Sequence, residues 1–253
     1  YIEHAVDPLG QPYLVMEWLD GEDLATRLRT RPLTVRETLA VGRGVAKAMA
    51  AAHTRGIIHR DLKPGNVFLM RGMFLTPGEF DQIKVLDFGI ARLGDWTPLT
   101  QTGATLGTLG YMAPEQARRE NLTPASDVYS LGCLLFECVT GKPMFAGRHP
   151  MGPTGPTGEI DQTVDGKLPP VTRLDAGVPA ELETLIERMV AQDPAQRPRD
   201  GAAVAAELAV LRLEQDDQSS QSAPILSLPR SEQRVLSIVL ISGAPGHEGG
   251  RAV

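Results

Sequence analysis

The sequence has little cysteine, no long hydrophobic run and fewer positive than negative charges. These shortages argue against a disulfide framework, a membrane span and a nucleic-acid-binding surface, respectively. Its only cysteines, Cys133 and Cys138, lie on one predicted helix. That spacing favours two buried apolar side chains over a disulfide or a metal pair and fits a reducing compartment. No run of about 18 apolar residues exists, so the sequence offers no membrane span. The net charge of −6 argues against a nucleic-acid-binding surface.

What is present has the composition of a globular protein, with 42% apolar and 22% charged residues. Strand-like runs lie at 1–6, 12–19, 57–58, 67–69, 83–86 and 231–242. Helical spacing predicts helices starting at 24, from 35 to near 56, from 124 to 141, from 179 to 194 and from 200 to about 213. Residues 70–82 are expected to form a hairpin insertion, and 87–115, 149–166 and 216–229 to be loops or linkers.

Start signals support three of these helices. Thr34 and Glu37 have the spacing of a capping box. Thr123 precedes Pro124, the residue favoured at a first helical position, and Asp200 precedes the last, alanine-rich helix. The order of elements indicates an α+β chain dominated by helix.

Three short motifs carry the chemistry. Residues 59–66 read HRDLKPGN, residues 87–89 read DFG, and residues 113–115 read APE. Taken singly, Asp61, Asn66 and Asp87 would be read as turn-forming loop residues. Together, in this order, the motifs resemble the signature set of a protein kinase. Lysine followed by proline after the aspartate resembles Ser/Thr kinases rather than Tyr kinases. The Thr-Gln-Thr spacing at 100–102, ahead of Gly107 and Thr108, resembles the eukaryotic-like (Hanks-type) bacterial Ser/Thr kinases.

The resemblance implies a role for each motif residue in phosphoryl transfer. Asp61 would accept the proton of the attacking hydroxyl, and Lys63 would offset charge on the γ-phosphate. Asn66 and Asp87 would hold Mg²⁺ through oxygen atoms. Thr108 would tie Asp61 and Lys63 to the substrate-docking loop.

A nucleotide site is implied in the same way. Met16 would be the gatekeeper, and the backbone of Glu17 and Leu19 would bind adenine. Asp23 would reach the ribose, and two apolar residues would pack near the nucleotide, Phe68 and Leu86. In any other fold, the apolar members of this set would simply be core residues.

Further residues are implied to be structural or regulatory. His59 and Phe88 would be packing residues, Asp127 would hydrogen-bond the backbone of residues 59–66, and Arg197 would pair with Glu115. Arg60 would meet a phosphorylated activation loop, with three candidate phosphosites: Thr100, Thr102 and Thr105. Phosphorylation there would add negative charge beside Arg60, although threonines are also common in polar loops.

The resemblance covers residues 1 to about 213. No Gly-rich phosphate loop, no V-A-I-K lysine and no partner glutamate precede the strand at 12–19, and the chain starts with Tyr1. We therefore expect a kinase-like fold that is mainly the helical C-lobe, lacking most of the N-lobe and inactive by itself. The expected domains are an N-lobe remnant with hinge at 1–20, a C-lobe at 21–213 and a linker at 214–230. Residues 231–253 are either the start of a further domain or a disordered tail.

The sequence thus predicts a cytoplasmic protein serine/threonine kinase that uses ATP and Mg²⁺. Its expected partners are proteins with Ser or Thr hydroxyls, including its own chain in trans. The alternative is a non-catalytic, truncated kinase lobe that serves as a protein-docking module.

Overall fold

The computed structural model describes residues 3–6, 8, 12–70, 83–88, 110–145, 177–211 and 236–240. The chain divides into two compact units. One comprises residues 1–20 and 221–253, and the other comprises residues 21–220. Among the described helices, none combines the length and apolar character needed to cross a lipid bilayer.

The first unit contains a three-stranded antiparallel sheet in the order β1-β2-β6. Its strands are β1 (Glu3–Val6), β2 (Pro12–Glu17) and β6 (Leu236–Leu240). The register pairs Glu3 with Val15 and Tyr13 with Leu240. Both edges of β2 therefore have a hydrogen-bonded neighbour. The strand predicted at 231–242 is present, and it pairs with the strand predicted at 12–19.

The second unit has a small antiparallel sheet and most of the helices. The strands β3 (Gly21–Asp23), β4 (Val67–Met70) and β5 (Ile83–Val85) pair in that order. The helices are α1 (Leu24–Leu28), α2 (Val35–His53), α3 (Pro114–Ala117), α4 (Pro124–Thr140), α5 (Ala180–Met189) and α6 (Gly201–Val210). Two short 3₁₀ helices span Pro64–Asn66 and Pro194–Gln196.

The hydrophobic core lies between the long helices, because each turns its apolar side inward. Helix α4 is buried along most of its length, as its largely apolar sequence predicts. Its neighbours contribute fully buried side chains from α2, α5 and α6, namely Val41, Val45, Met49, Leu182, Ile186, Val204 and Leu208. A side chain at Gly201 would meet the backbone of Ala46 and Ala50 at 2.7 and 2.6 Å, so α6 starts directly on α2. Both cysteines are buried free thiols, which confirms the prediction.

The helix start signals are confirmed. Thr34 accepts a hydrogen bond from the Glu37 N–H, and the Glu37 carboxylate accepts one from the Thr34 N–H at 2.8 Å. The Asp200 carboxylate accepts a hydrogen bond from the Ala203 N–H at 2.8 Å. Helix α4 begins after Thr123 and ends at Thr140, and the next residue, Gly141, caps it with a left-handed φ of 68°.

Two predictions of local structure are wrong. Residues 57–58 form no strand but an irregular link after α2, in which Ile57 is 44% exposed and its N–H returns to the Ala52 carbonyl. The segment predicted as loop up to residue 115 contains the start of α3, a helix too short to show periodicity. Predictions for 71–82, 149–166 and 216–229 lie outside the described residues.

Candidate active site

The HRDLKPGN segment folds back on itself so that its polar side chains meet. The 3₁₀ turn Pro64–Asn66 returns the chain toward Asp61. The Asn66 amide donates to the Asp61 carbonyl at 2.8 Å and to its carboxylate at 3.2 Å. The Lys63 ammonium lies 2.9 Å from the same carboxylate oxygen, Oδ2. An acid, a cation and an amide are thus held together in a partly exposed cluster.

Asp127 anchors the start of this segment from the first turn of α4. Its carboxylate accepts hydrogen bonds from the backbone N–H groups of His59 at 2.8 Å and Arg60 at 2.9 Å. A third bond comes from His53 Nε2 at 2.9 Å. Because His53 Nδ1 accepts from the Gly201 N–H at 3.1 Å, its Nε2 carries the proton. The Asp127 side chain is 2% exposed, and the three groups that donate to its negative charge are all neutral.

His59 connects the segment to the chain leaving β5. It is fully buried, and its ring lies 4.6 Å from that of Phe88. Its Nδ1 accepts from the Asp61 N–H, so Nε2 donates to the Leu86 carbonyl at 2.9 Å. The Leu86 N–H in turn donates to the Asn66 carbonyl at 2.8 Å. These bonds hold the residue before Asp87 beside residues 59–66, which we call the catalytic segment after the role that the resemblance implies for them.

The residues predicted to bind a metal have suitable donor atoms. Asp87 is exposed and has a positive φ of 53°. The Asn66 NH₂ group is committed to Asp61, which leaves its side-chain oxygen for a cation. Among the described residues there is no cluster of three or more His, Cys, Asp or Glu side chains able to hold a metal. Two protein oxygens with nucleotide phosphates and water suit Mg²⁺, which seldom uses an all-protein cage.

Glu115 and Arg197 form a buried, two-pronged ion pair. The two Nη–Oε distances are 2.8 and 3.0 Å, and the Arg197 side chain is fully buried. Burial by itself would raise the pKa of Glu115, but hydrogen bonds, above all from Arg197, outweigh it and leave that pKa below the ordinary value. Arg197 also donates to three backbone carbonyls, those of Ala125, Ala191 and Gln192. The pair therefore fixes α3 against α4 and the chain after α5.

The residues predicted to bind the nucleotide are divided between the two units. Met16, Glu17 and Leu19 belong to the first unit. In the second, Phe68 and Leu86 are half-buried. Asp23 caps α1, where its two carboxylate oxygens accept from the Thr26 N–H at 2.8 Å and the Thr26 hydroxyl at 2.7 Å. A ribose contact by Asp23 would have to share or replace these bonds.

Four predicted threonines, Thr100, Thr102, Thr105 and Thr108, lie outside the described residues. Arg60 is described and half-buried, with a positive φ of 68°.

A cavity of about 360 Å³ opens beside Lys63. Its walls come from α1, the catalytic segment and the end of α4, and they include Arg29, Tyr111 and Glu137. The Tyr111 hydroxyl donates to the Glu137 carboxylate. Burial raises the pKa of Glu137, an effect that this bond partly offsets. The cavity is therefore next to the cluster of Asp61, Lys63 and Asn66, and it has both cationic and anionic side chains in its walls.

Sequence reasoning missed His53, Tyr111 and Glu137. Glu137 had one usable signal, since it is an acid within the apolar run of α4. His53 had none, because its partners Asp127 and Gly201 are distant in sequence.

Comparison with known proteins gives consistent results. A family model described as "Protein kinase domain" matches residues 3–208. The chain is 39% identical over 201 residues to serine/threonine-protein kinase PknA of Mycobacterium tuberculosis, covering 79% of this chain and 43% of that protein. It is 35% identical over 208 residues to serine/threonine-protein kinase PknB of Mycobacterium leprae, covering 81% and 31%. The chain thus spans less than half the length of these curated relatives.

Proposed function

The chain belongs to the protein kinase family. On that premise we propose that it carries the phosphate-transfer site of a protein serine/threonine kinase. One observation carries the proposal: Lys63 Nζ and Asn66 Nδ2 converge on the same oxygen of Asp61, at 2.9 and 3.2 Å. A carboxylate held in this way is oriented and stays accessible, with its side chain 16% exposed. Orientation of this kind is what phosphoryl transfer needs from a protein.

In the proposed reaction, the hydroxyl oxygen of a substrate serine or threonine bonds to the γ-phosphorus of ATP. The bond from that phosphorus to the ADP oxygen breaks, and the hydroxyl proton passes to the Asp61 carboxylate. Lys63 lies close enough to Asp61 to offset negative charge on the transferred group. Asn66 and Asp87 would hold Mg²⁺, which neutralises phosphate charge when bound.

The proposal extends to partners and location. Protein substrates would present Ser or Thr to Asp61, and the cavity beside Lys63 could receive the neighbouring substrate residues. The chain's own Thr100, Thr102 and Thr105 are candidate acceptors in trans. We place the protein in the cytoplasm, where ATP is available and free thiols such as Cys133 and Cys138 persist.

The test is transfer of labelled phosphate from Mg-ATP by the full protein encoded by the gene, to itself and to a basic protein. We expect transfer by the natural protein and a loss of about 100-fold or more in Asp61→Asn, which keeps the shape but cannot accept a proton. Glu181→Gln is the matched control, because it neutralises an exposed acid on α5.

Equal transfer by Asp61→Asn and the natural protein would refute the assignment of Asp61. Absence of transfer by the full protein would instead favour the protein-docking function. Asp87→Asn adds a binding test, in which Mg²⁺ should no longer strengthen ATP binding measured by calorimetry.

A further inference from the structure

The peptide group just before Asp61 is held by Gln116, a residue that belongs to none of the three motifs at 59–66, 87–89 and 113–115. The Gln116 side-chain amide donates to the Arg60 carbonyl at 2.7 Å. This carbonyl belongs to the peptide that joins Arg60 to Asp61. Gln116 is 6% exposed, so the bond is shielded from water. Its distance and burial make it a strong restraint on the orientation of that peptide.

Arg60, the residue that precedes Asp61, has an unfavourable backbone conformation. Its φ is 68°, a left-handed value that brings the Cβ close to the following carbonyl oxygen and is therefore unfavourable for a residue other than glycine. Such a conformation persists when its surroundings over-determine it, and it is concentrated at functional sites. Here the Asp127 carboxylate holds the Arg60 N–H at 2.9 Å and Gln116 holds the Arg60 carbonyl. The peptides on both sides of Arg60 are therefore fixed by side chains from other parts of the chain.

Gln116 is itself well placed for this task. It follows Glu115 in α3, and the Glu115 carboxylate is fixed by Arg197. Helix α3 thus has a rigid attachment on one side and presents Gln116 to the catalytic segment on the other. Glutamine also suits the position chemically, since the carbonyl of Arg60 requires a donor. Glutamate would place an acceptor against that carbonyl, and methionine has similar length but no donor.

We propose that Gln116 is a positioning residue for phosphoryl transfer, which holds the left-handed Arg60 peptide and thereby aims the Asp61 carboxylate. This inference rests on the proposed function. It predicts a defect in the chemical step with little change in ATP affinity, because the bond that Gln116 donates goes to the backbone of the catalytic segment.

The first test is steady-state kinetics with the full protein encoded by the gene. Gln116→Met should lower kcat about tenfold and leave KM for ATP within about twofold, since small displacements of reacting groups are costly. Gln116→Glu should be slower still. The matched control is Gln196→Met, which makes the same change at an exposed position in the second 3₁₀ helix. A Gln116→Met kcat within twofold of the natural protein, or a defect confined to KM, would overturn the proposal.

The second test does not depend on activity. Hydrogen exchange should become faster in the peptide covering residues 57–62 of Gln116→Met, whereas Gln196→Met should leave it unchanged. Unaltered exchange there would also overturn the proposal. If Gln116→Met does not fold, Gln116→Asn keeps the amide but shortens its reach, and the same two results are expected. Failure of the natural protein to transfer phosphate would count against the proposed function, while the exchange result would still decide whether Gln116 restrains the segment.

Discussion

Asp127 and Glu115 are similarly buried carboxylates, with side chains 2% and 4% exposed, but their charges are compensated differently. Asp127 is surrounded by neutral donors: two backbone N–H groups and the His53 imidazole. Glu115 faces a full positive charge, that of Arg197. Asp127 fixes the backbone at residues 59–60, whereas Glu115, through Arg197, joins α3 to α4.

The difference indicates where stability and activity should separate. A buried ion that loses its counter-ion remains as an uncompensated charge, which strongly destabilises the fold. A carboxylate bonded to backbone N–H groups sets the path of the chain it binds, because each bond fixes one peptide. We therefore expect changes at Arg197 to act mainly on folding, and changes at Asp127 to act mainly on phosphate transfer.

The largest effect on folding is expected from Arg197→Met. It leaves the Glu115 carboxylate buried and unpaired, and the free energy of unfolding should fall by about 3–5 kcal/mol. Denaturation in urea measures this loss. The double variant Arg197→Met with Glu115→Leu should recover part of it, because no buried charge remains. A double variant no more stable than the single one would show that Arg197 acts through its backbone carbonyl contacts rather than through Glu115.

A smaller loss of stability, with a larger loss of activity, is expected from Asp127→Asn. The amide has one acceptor oxygen for three donors. In one orientation its NH₂ group opposes the Arg60 N–H, and in the other it opposes the His59 N–H and the His53 Nε2–H. Unfolding should become easier by about 1–3 kcal/mol. Labelled-phosphate transfer by the folded protein should fall at least about tenfold. Full transfer at the natural rate would mean that the catalytic segment keeps its path without Asp127.

Glu37 combines both kinds of compensation and should give the smallest effect. A hydrogen bond from Arg31, with the Thr34 N–H, lowers the pKa of Glu37 from 4.5 to about 2 against the opposing effect of burial. The resulting stabilisation is complete above pH 4.5 and is lost as the pH falls toward 2. Because Arg31 is 44% exposed, we expect about 1 kcal/mol or less.

Urea denaturation at several pH values measures this contribution. The difference in unfolding free energy between the natural protein and Glu37→Gln should shrink below pH 4.5. A difference that does not depend on pH would mean that the capping hydrogen bonds, rather than the charge, are what Glu37 contributes.

Elements with strong local signals were predictable from the sequence. Helices α2, α4 and α6 combine apolar spacing with the caps Thr34, Thr123 and Asp200. The four-residue helix α3 has no periodicity to detect. The Ile57–Ile58 pair looks like a strand, although none of the described strands pairs with it. Short segments are decided by their tertiary surroundings, which local propensity does not contain.

The same division holds for the candidate site. The family motifs pointed to Asp61, Lys63 and Asn66, and the structure places the last two side chains within hydrogen-bonding distance of the Asp61 carboxylate. The ion pair of Glu115 with Arg197 was implied as well and is present. His53 and Gln116 were missed because their roles arise only when segments 56 or more residues apart pack together.

The two buried thiols have a practical consequence. Cys133 is 1% exposed and Cys138 is fully buried, and burial raises the pKa of both, so each holds its proton and resists alkylation in the folded protein. A cysteine introduced at an exposed position such as Ala202 could then carry a fluorophore or spin label without removal of the native pair. The native thiols would react only when the core opens, so their rate of alkylation reports the rate or extent of unfolding of the core.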